Sequence, residues 1–503
     1  MDRRRFLRNL LPGATVAALA PALLGQALAA DPAEFAAGLA RHPWMAGWRQ
    51  VPAEALGPTT VAVEGRLPRG LAGTLYRNGP AWFERGGFRY EHWFDGDGMI
   101  HGWRFGDGGV THRGRMVETP KLARERAAGR FNTPVAGTTI PDVAPIRNND
   151  DANPANTAVV AIDGRLFALW EGGSAFELDP DALDTIGPVT WRPDLQALPF
   201  SAHPLRDRDG SWWNFGALAM MGSSGLLVWH LEPDATLRQA HVLPVEQPGY
   251  LHAFAMTDRH LVFVFAPFDR GEGGAFFESL RFAPARGCPV AVVDKDTPDR
   301  ARWFEVDFAM AYHFGDAFER DGGIVVRAVL HPDADQAASP MGAVMRGHVA
   351  PAAAQVPPAL AELRLDLRSG RARWEWLLHG EMEFPLYDPR SPGDRGARLY
   401  MPVVEGEAGA PYFNAVAMVD PGSGRREVYR YGRDILAEEH VFVPRPGSAR
   451  VDDGWLVGTL LDPLRGRSGI AVLDARRIGD GPLAQAWLPY SFPLGFHGHF
   501  AQA

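Results

Sequence analysis

A single cysteine, Cys288, among 503 residues excludes any intramolecular disulfide, and with it the cysteine-built zinc and iron–sulfur motifs. Positive charge is also in short supply. The formal net charge is −9 and no basic patch stands out, so nucleic acid is not an expected partner. No glycine-rich dinucleotide signature follows a strand-like run, so no organic redox cofactor is expected. Beyond the N-terminal segment no apolar run reaches the length needed to span a membrane. Helical periodicity is scarce, and no clean internal repeat appears at a fixed period.

The N-terminal segment has its own character. Asp2-Arg3-Arg4-Arg5-Phe6-Leu7-Arg8 fits the twin-arginine export pattern. A mildly apolar stretch from Leu10 to Leu28 follows, interrupted by Pro12, Gly13, Pro21 and Gly25, and Ala27-Leu28-Ala29 offers a small-residue cleavage site. Residues 1–29 read as a signal peptide and 30–503 as one domain, which implies a periplasmic protein. Cleavage takes four arginines and one aspartate with it and moves the formal charge from −9 to −12. Twin-arginine export carries folded proteins, which suits a cofactor loaded before export.

What is present in abundance is short strand-like runs between turn residues. Thr59–Val63, Gly73–Tyr76, Ala158–Ile162, Arg165–Trp170, Leu226–His230, His260–Phe265, Val290–Val293, Ile324–Val329, Leu363–Leu367 and Trp455–Leu460 are rich in β-branched and aromatic residues. The best helical candidates are Asp31–Leu39 and Thr119–Ala128, with a short turn near Asp316–Phe318. With 56 glycines and 42 prolines, this pattern predicts an all-β sandwich, barrel or propeller. The length favours a propeller, whose seven four-stranded blades take roughly 60–70 residues each.

Four histidines sit far apart in apolar or aromatic contexts: His203 in FSAHP, His252 in YLHAF, His313 in YHFGD and His497 in GFHGHF. Local metal motifs place ligands a few residues apart on one element. Ligands this dispersed meet only in a closed architecture, such as a propeller whose inner strands share an axis. Four imidazoles without a carboxylate ligand suit a borderline-soft transition metal. With 16 histidines in all, position alone does not single out these four. Asp95-Gly96-Asp97-Gly98 is too short for a calcium loop and lacks its bidentate glutamate, so it reads as a tight turn, as does Arg77-Asn78-Gly79-Pro80.

Ordered segments along almost the whole chain resemble the carotenoid cleavage oxygenase family, which includes apocarotenoid dioxygenases, lignostilbene dioxygenases and the retinal isomerohydrolase. They include GTLYRNGP at 73–80, HWFDGDGMIH at 92–101, ALWEGGSAFELDP at 168–180, YHFGDAFE at 312–319, EEHVFVPRPG at 438–447 and LPYSFPLGFHGHF at 488–500. The resemblance implies a seven-bladed β-propeller with a dome of loops and helices over an axial metal. It implies one Fe(II) per chain on His203, His252, His313 and His497, leaving two adjacent positions open. By motif match Glu171, Glu383 and Glu439 accept the second N–H of those ligands and fix their orientation, although Glu438 competes with Glu439 for the register. Thr157 matches a threonine whose methyl crowds one open position.

The implied reaction is cleavage of a conjugated C=C bond of a carotenoid or apocarotenoid by dioxygen, giving two carbonyl products. Lignostilbene-cleaving relatives grip and deprotonate a substrate phenol with a tyrosine and a lysine, and Tyr90 and Lys121 lie at comparable places. A non-catalytic binding propeller, and isomerisation or hydrolysis without oxygen, are the other readings. Phe268, Phe276, Phe277 and Phe282 form a candidate apolar patch for membrane contact, or a buried loop cluster. Three departures from the family's usual residues bear on substrate selection: Asp316 after the third ligand, Leu386 after Glu383-Phe384-Pro385, and His440 after Glu439. His499 lies two residues from His497 and could compete with it as a ligand.

Overall fold

The computed structural model describes residues 30–106, 109–218, 224–246, 249–271, 275–307, 310–332, 342–349, 356–391, 397–406 and 412–503. The twin-arginine segment expected over residues 1–29 lies outside them.

Seven antiparallel sheets follow one another around a ring. Blade 1 runs Ala55–Val61, Gly109–Met116, Asp97–Gly106, Gly73–Trp82 and Gly498–Gln502 in sheet order. Blade 2 holds Ala158–Ile162, Arg165–Leu169, Phe176–Leu178 and Thr185–Pro188. Blade 3 holds Leu205–Arg206, Trp212–Ala217, Leu226–Leu231 and Leu237–Leu243. Blade 4 holds Ala255–Met256, His260–Val264, Cys288–Asp294 and Arg302–Val306. Blade 5 holds Ala311–Arg320, Gly323–Leu330, Ala359–Asp366 and Ala372–His379. Blade 6 has Leu399–Val403, Ala415–Asp420 and Arg425–Arg430. Blade 7 has Leu436–Pro444, Gly454–Asp462, Arg467–Asp474 and Pro482–Trp487, to which Val63–Gly65 adds from the N-terminal side.

The ring is held by a separate apolar cluster at each junction between neighbouring blades. Period-two alternation explains how one strand serves two junctions. In blade 4, Leu261 and Phe263 pack toward Trp213 and Phe215 of blade 3, while Val262 and Val264 pack toward Ile324 and Val326 of blade 5. A strand buried on both faces reads as a continuous apolar run, which is why such runs dominate the sequence. The closing junction joins Trp103 and Val110 of blade 1 to Val457 and Val472 of blade 7. Two strand exchanges reinforce it: Gly498–Gln502 pairs with Gly73–Arg77, and Val63–Gly65 pairs with Ala484–Ala486.

Above the ring, helix α1 (Pro32–Arg41) begins where the Asp31 side chain accepts from the Ala33 N–H. Helix α2 (Pro120–Ala128) is capped by Thr119, whose side chain accepts from Leu122 N–H, and ends at Gly129, at φ +64°. These helices, the turn Pro43–Trp48 and residues such as Phe83, Trp93 and Phe131 form an aromatic-rich cap. No helix among the described residues is long and apolar enough to cross a membrane.

Two local expectations change. The turn near Asp316–Phe318 is part of the strand Ala311–Arg320, which absorbs its irregularity as register shifts on either side of Phe314. The turn at Arg77–Pro80 is likewise the buried middle of strand Gly73–Trp82. A Cβ on Gly79 would stand 2.4 Å from the Gly495 Cα, so glycine there admits a close crossing of chain.

Candidate metal centre

Four of the seven blades deliver a histidine at or just before the start of the strand nearest the axis. His203 precedes Leu205–Arg206, His252 precedes Ala255–Met256, His313 lies near the start of Ala311–Arg320, and His497 precedes Gly498–Gln502. The crossing at Gly79 holds the last of these: Asn78 N–H donates to the His497 carbonyl at 3.0 Å, and Phe496 N–H donates to that of Asn78 at 2.8 Å.

The four side chains converge, with one ring nitrogen of each within 4.8 Å of the others. Successive Nε2 atoms are 2.9 Å apart for His203 and His252, 3.1 Å for His252 and His313, and 3.1 Å for His313 and His497. Metal–imidazole bonds of about 2.1 Å at right angles put neighbouring nitrogens about 3.0 Å apart, whereas tetrahedral angles put them about 3.4 Å apart. The spacing therefore fits a right-angled site with positions to spare. His499 is not one of the four; its ring lies 6.4 Å from that of Trp212, and burial first, then Arg206, lowers it to about 4.

The other three blades supply carboxylates. Glu171, just beyond Arg165–Leu169 of blade 2, hydrogen-bonds His252 Nδ1. Glu383, entering blade 6, accepts from His313 Nδ1 at 2.7 Å, and Glu439 of blade 7 accepts from His497 Nδ1 at 3.0 Å. The ambiguity between Glu438 and Glu439 resolves at a register shift between Ala437 and His440. Glu439 meets His497, while Glu438 accepts from Gly495 N–H. With Nδ1–H given to a carboxylate, each Nε2 carries a lone pair. Lone pairs converging without a proton between them repel, and a cation relieves that. Among the described residues no carboxylate meets Nδ1 of His203.

Electrostatics sharpen the picture. Burial, then the three neighbouring imidazoles, holds His203 well below its ordinary value. Burial lowers His313 to about 4 against the pull of Glu383. Burial alone would raise the Glu383 and Glu439 carboxyls. Their histidine partners, joined by His331 and Arg77 respectively, outweigh it and hold both below the usual carboxylate range.

Several partners were not legible in the sequence. His331 Nε2 donates to Glu383 Oε1 at 2.6 Å. Fully buried Arg77 donates to Glu439 Oε2 at 2.8 Å and to the Phe496 carbonyl at 2.9 Å. The Tyr250 hydroxyl donates to Glu171 at 3.2 Å. Phe384 stands in the left-handed region at φ +53°, unusual for a bulky residue; its N–H donates to Glu383 Oε2 at 2.7 Å. The only signal for Arg77 was its apolar N-terminal flank, Leu75-Tyr76; His331 carried none.

A cavity of about 150 Å³ opens on the ligands. Its walls are largely aromatic, with Trp93, Phe94, Phe276, Phe277, Phe384 and Phe496 prominent. Thr157 also lines it, its hydroxyl donating to Asn156 Oδ1 at 3.1 Å. Phe268 and Phe282 pair across a short hairpin and, half-buried, pack with Phe276 and Phe277 against Tyr250.

Tyr90 and Lys121 are not on this wall, which departs from the expectation that they hold a substrate phenol. Both are 0% exposed. Lys121 Nζ donates to Asp97 Oδ1 at 2.8 Å, Glu125 Oε2 at 3.0 Å and the Tyr90 hydroxyl at 2.8 Å. The Tyr90 ring stacks on Phe131 at 3.7 Å. Burial, with Glu125 and Asp97 beside it, pushes the Tyr90 phenol well up. The ammonium is already committed to two carboxylates. Asp95 accepts from Ala136 and Gly137 N–H and the Thr138 hydroxyl, so the acidic turn is structural.

The departures also have partners. Asp316 pairs with Arg327 at 3.1 Å, His440 accepts the Tyr431 hydroxyl at 2.7 Å, and Leu386 bridges to Tyr400.

Fold and site together define a seven-bladed propeller with an axial cluster of four histidines that could hold a metal ion. The family of the retinal pigment epithelial membrane protein matches residues 48–502, and the chain belongs to it, among the carotenoid cleavage oxygenases. It is 29% identical over 492 residues to the apocarotenoid-15,15'-oxygenase of Synechocystis, covering 91% of this chain and 96% of that one. It is 28% identical to the lignostilbene-alpha,beta-dioxygenase isozyme III of Sphingomonas paucimobilis, covering 88% and 93%. The crystal structure of cobalt-substituted Synechocystis apocarotenoid oxygenase superimposes with a TM-score of 0.80 at 27% identity, over 92% of this chain and 98% of that one.

Proposed function

We propose that the chain is a non-haem iron(II) dioxygenase that cleaves a conjugated C=C bond of a carotenoid or apocarotenoid. The observation that carries this is the convergence of four Nε2 atoms, three backed by carboxylates, with His252, His313 and His497 lining an aromatic cavity. It argues against a non-catalytic propeller, which needs no such centre. The chain is an oxygen-incorporating oxidoreductase. His203, His252, His313 and His497 would hold the metal. When bound, iron(II) supplies the one-electron chemistry by which dioxygen reacts with a closed-shell alkene.

The rest falls to the side chains. Glu171, Glu383 and Glu439 keep Nδ1 protonated and Nε2 free, and offset the charge of a dication. The aromatic walls hold a flat conjugated chain and exclude water. Thr157, its hydroxyl donated to Asn156 on the cavity wall, would narrow the space beside the metal with its methyl. Overall, one C=C bond breaks, each carbon gains one oxygen atom, and the substrate supplies the electrons, so no organic reductant is required. We further propose twin-arginine export to the periplasm, and lipid contact through the half-buried phenylalanines around Phe268 and Phe282.

Iron-loaded protein incubated with a polyene under labelled dioxygen should place one labelled atom in each aldehyde, with one molecule of oxygen consumed per bond cleaved. Product without oxygen uptake would overturn the dioxygenase reading in favour of isomerisation or hydrolysis.

A further inference from the structure

A row of indole rings runs from the cavity wall through the cap to the surface. Trp93 lines the cavity, and its ring lies 4.5 Å from that of Phe496, the residue before the ligand His497. Trp48 follows at 5.5 Å and 66°, and Trp44 lies a further 5.8 Å on at 86°. Centroids at these separations set ring edge against ring face in van der Waals contact, so an electron can pass from each indole to the next. Trp93 and Trp48 are each 4% exposed, whereas Trp44 is partly open to solvent. A buried indole N–H normally finds an acceptor, yet among the described residues neither Trp93 Nε1 nor Trp48 Nε1 has one. Other unpartnered indoles, such as Trp103 and Trp455, sit at the closing blade junction and do not line the cavity. Trp170, the second indole on the wall, makes no ring contact among the described residues.

We infer that Trp93, Trp48 and Trp44 form a conduit that carries an oxidising equivalent from the cavity to the surface, protecting the centre when oxygen is activated with no alkene to attack. The steps balance. A one-electron oxidant left in the cavity by reduction of dioxygen or peroxide takes one electron from Trp93 and is itself reduced. Trp48 refills Trp93, and Trp44 refills Trp48. An oxidised indole ordinarily gives its N–H proton to an acceptor and is trapped as a neutral radical. With no acceptor at Trp93 or Trp48 the proton stays, and the positive charge remains free to move on. Burial sets its direction. A charged ring costs more to form where water is excluded, so the charge runs downhill to Trp44. There the N–H proton passes to water, and a reductant of the thiol or ascorbate class returns one electron and one proton. Tyr412 touches the row, 5.7 Å from Trp48 and 6.4 Å from Trp93. Its hydroxyl bonds to nothing among the described residues, so phenol oxidation, which must release a proton, finds no base there.

The inference rests on the iron centre proposed above, and the test separates the two. Iron-loaded protein, freed of loose iron, is treated with hydrogen peroxide in the absence of substrate, beside a metal-free control. Oxidised tryptophans are then located by peptide mass spectrometry, so no turnover enters. In the wild type, oxidation should collect at Trp44 above the metal-free level, and ascorbate should suppress it. In Trp48→Phe, whose ring fills the space but is much harder to oxidise, Trp44 oxidation should fall to the metal-free level. Damage should then move to Trp93 and the ligand histidines, and iron should be lost after fewer additions of peroxide. Trp44→Phe changes a partly exposed position, so it keeps the test open if Trp48→Phe does not fold; there the oxidation should stop at Trp48. Trp44 oxidation as strong in the metal-free protein, or undiminished in Trp48→Phe, would overturn the conduit, as would an unmodified Trp48 in Trp44→Phe. Normal polyene cleavage with either result leaves the dioxygenase reading standing. The expected pattern in a protein that cleaves no alkene would keep the conduit and remove that reading.

Discussion

The three carboxylates behind the ligands look interchangeable, yet their surroundings predict opposite behaviour for Glu439→Gln and Glu383→Gln. Glu439 serves two masters, His497 Nδ1 and the guanidinium of Arg77, which is 0% exposed. Neutralising it leaves a buried cation without its counter-charge. Breaking such a pair costs about 3–5 kcal/mol, and toward the lower end where the amide oxygen still accepts a hydrogen bond. At about 2.1 cal/mol/K per residue, a protein of this size has an unfolding entropy near 1 kcal/mol/K. Glu439→Gln should therefore lower the Tm of the metal-free protein by about 3–4 °C. Glu383 accepts from His313, His331 and the Phe384 N–H, and among the described residues no arginine or lysine pairs with it. Removing its charge costs the metal-free fold little. Its effect appears with metal, where a neutral amide accepts more weakly from His313 Nδ1 and no longer offsets the charge of a dication, and affinity should fall about 10–100-fold. At a metal concentration 100 times the wild-type Kd, binding stabilises by about 2.7 kcal/mol; a hundredfold weaker site leaves about 0.4. Thermal unfolding of both variants, metal-free and metal-loaded, with metal content by mass spectrometry, checks this. A Glu439→Gln protein as stable as wild type without metal, or equal metal-free losses in both variants, would refute the division of roles.

Two more outcomes follow from other buried charges. Lys121→Met leaves Asp97 and Glu125 facing each other without a cation, and should cost about 3–5 kcal/mol. Cleavage of hydroxystilbene and polyene should fall in step in the surviving folded protein; selective loss of the hydroxystilbene activity in a stable variant would restore the phenol-gripping role. Acid should destabilise the fold before any carboxylate titrates in the ordinary range. Burial lowers His112 to about 3, and His440 and His499 to about 4, while the unfolded chain takes up those protons near pH 6.5. Each therefore loses about 1.4 kcal/mol per pH unit from 6.5 downward to its folded value. Asp97, raised to about 6 by burial and Glu125 against Lys121, works the other way between about 6 and 3.8, so these four groups alone give a slope of about two protons, to which the lowered His101, His203, His230 and His313 add in the same direction. Urea midpoints unchanged between pH 7 and 4.5 would contradict this.

How much of this could be read from the chain varies with the kind of residue. Blade strands such as Ala158–Ile162 announced themselves because burial on both faces leaves an uninterrupted apolar run. The ligands were findable because each sits in a motif, not because of spacing, which carries no information when the partners come from different blades. Arg77 misled, since Arg-Asn-Gly-Pro has the composition of a turn; only the close crossing of residues 495–497 makes it a buried strand. Lys121 misled in the opposite sense. A lysine followed four residues later by glutamate on a helix reads as surface or site, and the third partner, Asp97, is supplied by tertiary contact. His331 and Glu383 meet in space 52 residues apart in sequence, so nothing local marks the pair.

The strand exchange that closes the ring sets an order of events during synthesis. Arg77 and the Phe496 carbonyl it meets are 419 residues apart. At roughly 5–20 residues per second, that is about 20–80 s between the emergence of one and the other. Through that interval blade 1 presents an open edge, a template for wrong pairing, and the metal site lacks His497. The last strand seals the edge and brings the fourth ligand in one step. A chain cut short of it cannot load metal at full affinity, so metal content doubles as a readout of whether the ring has closed. Under the proposed twin-arginine export, which carries folded proteins, the cofactor would serve as a certificate of completion.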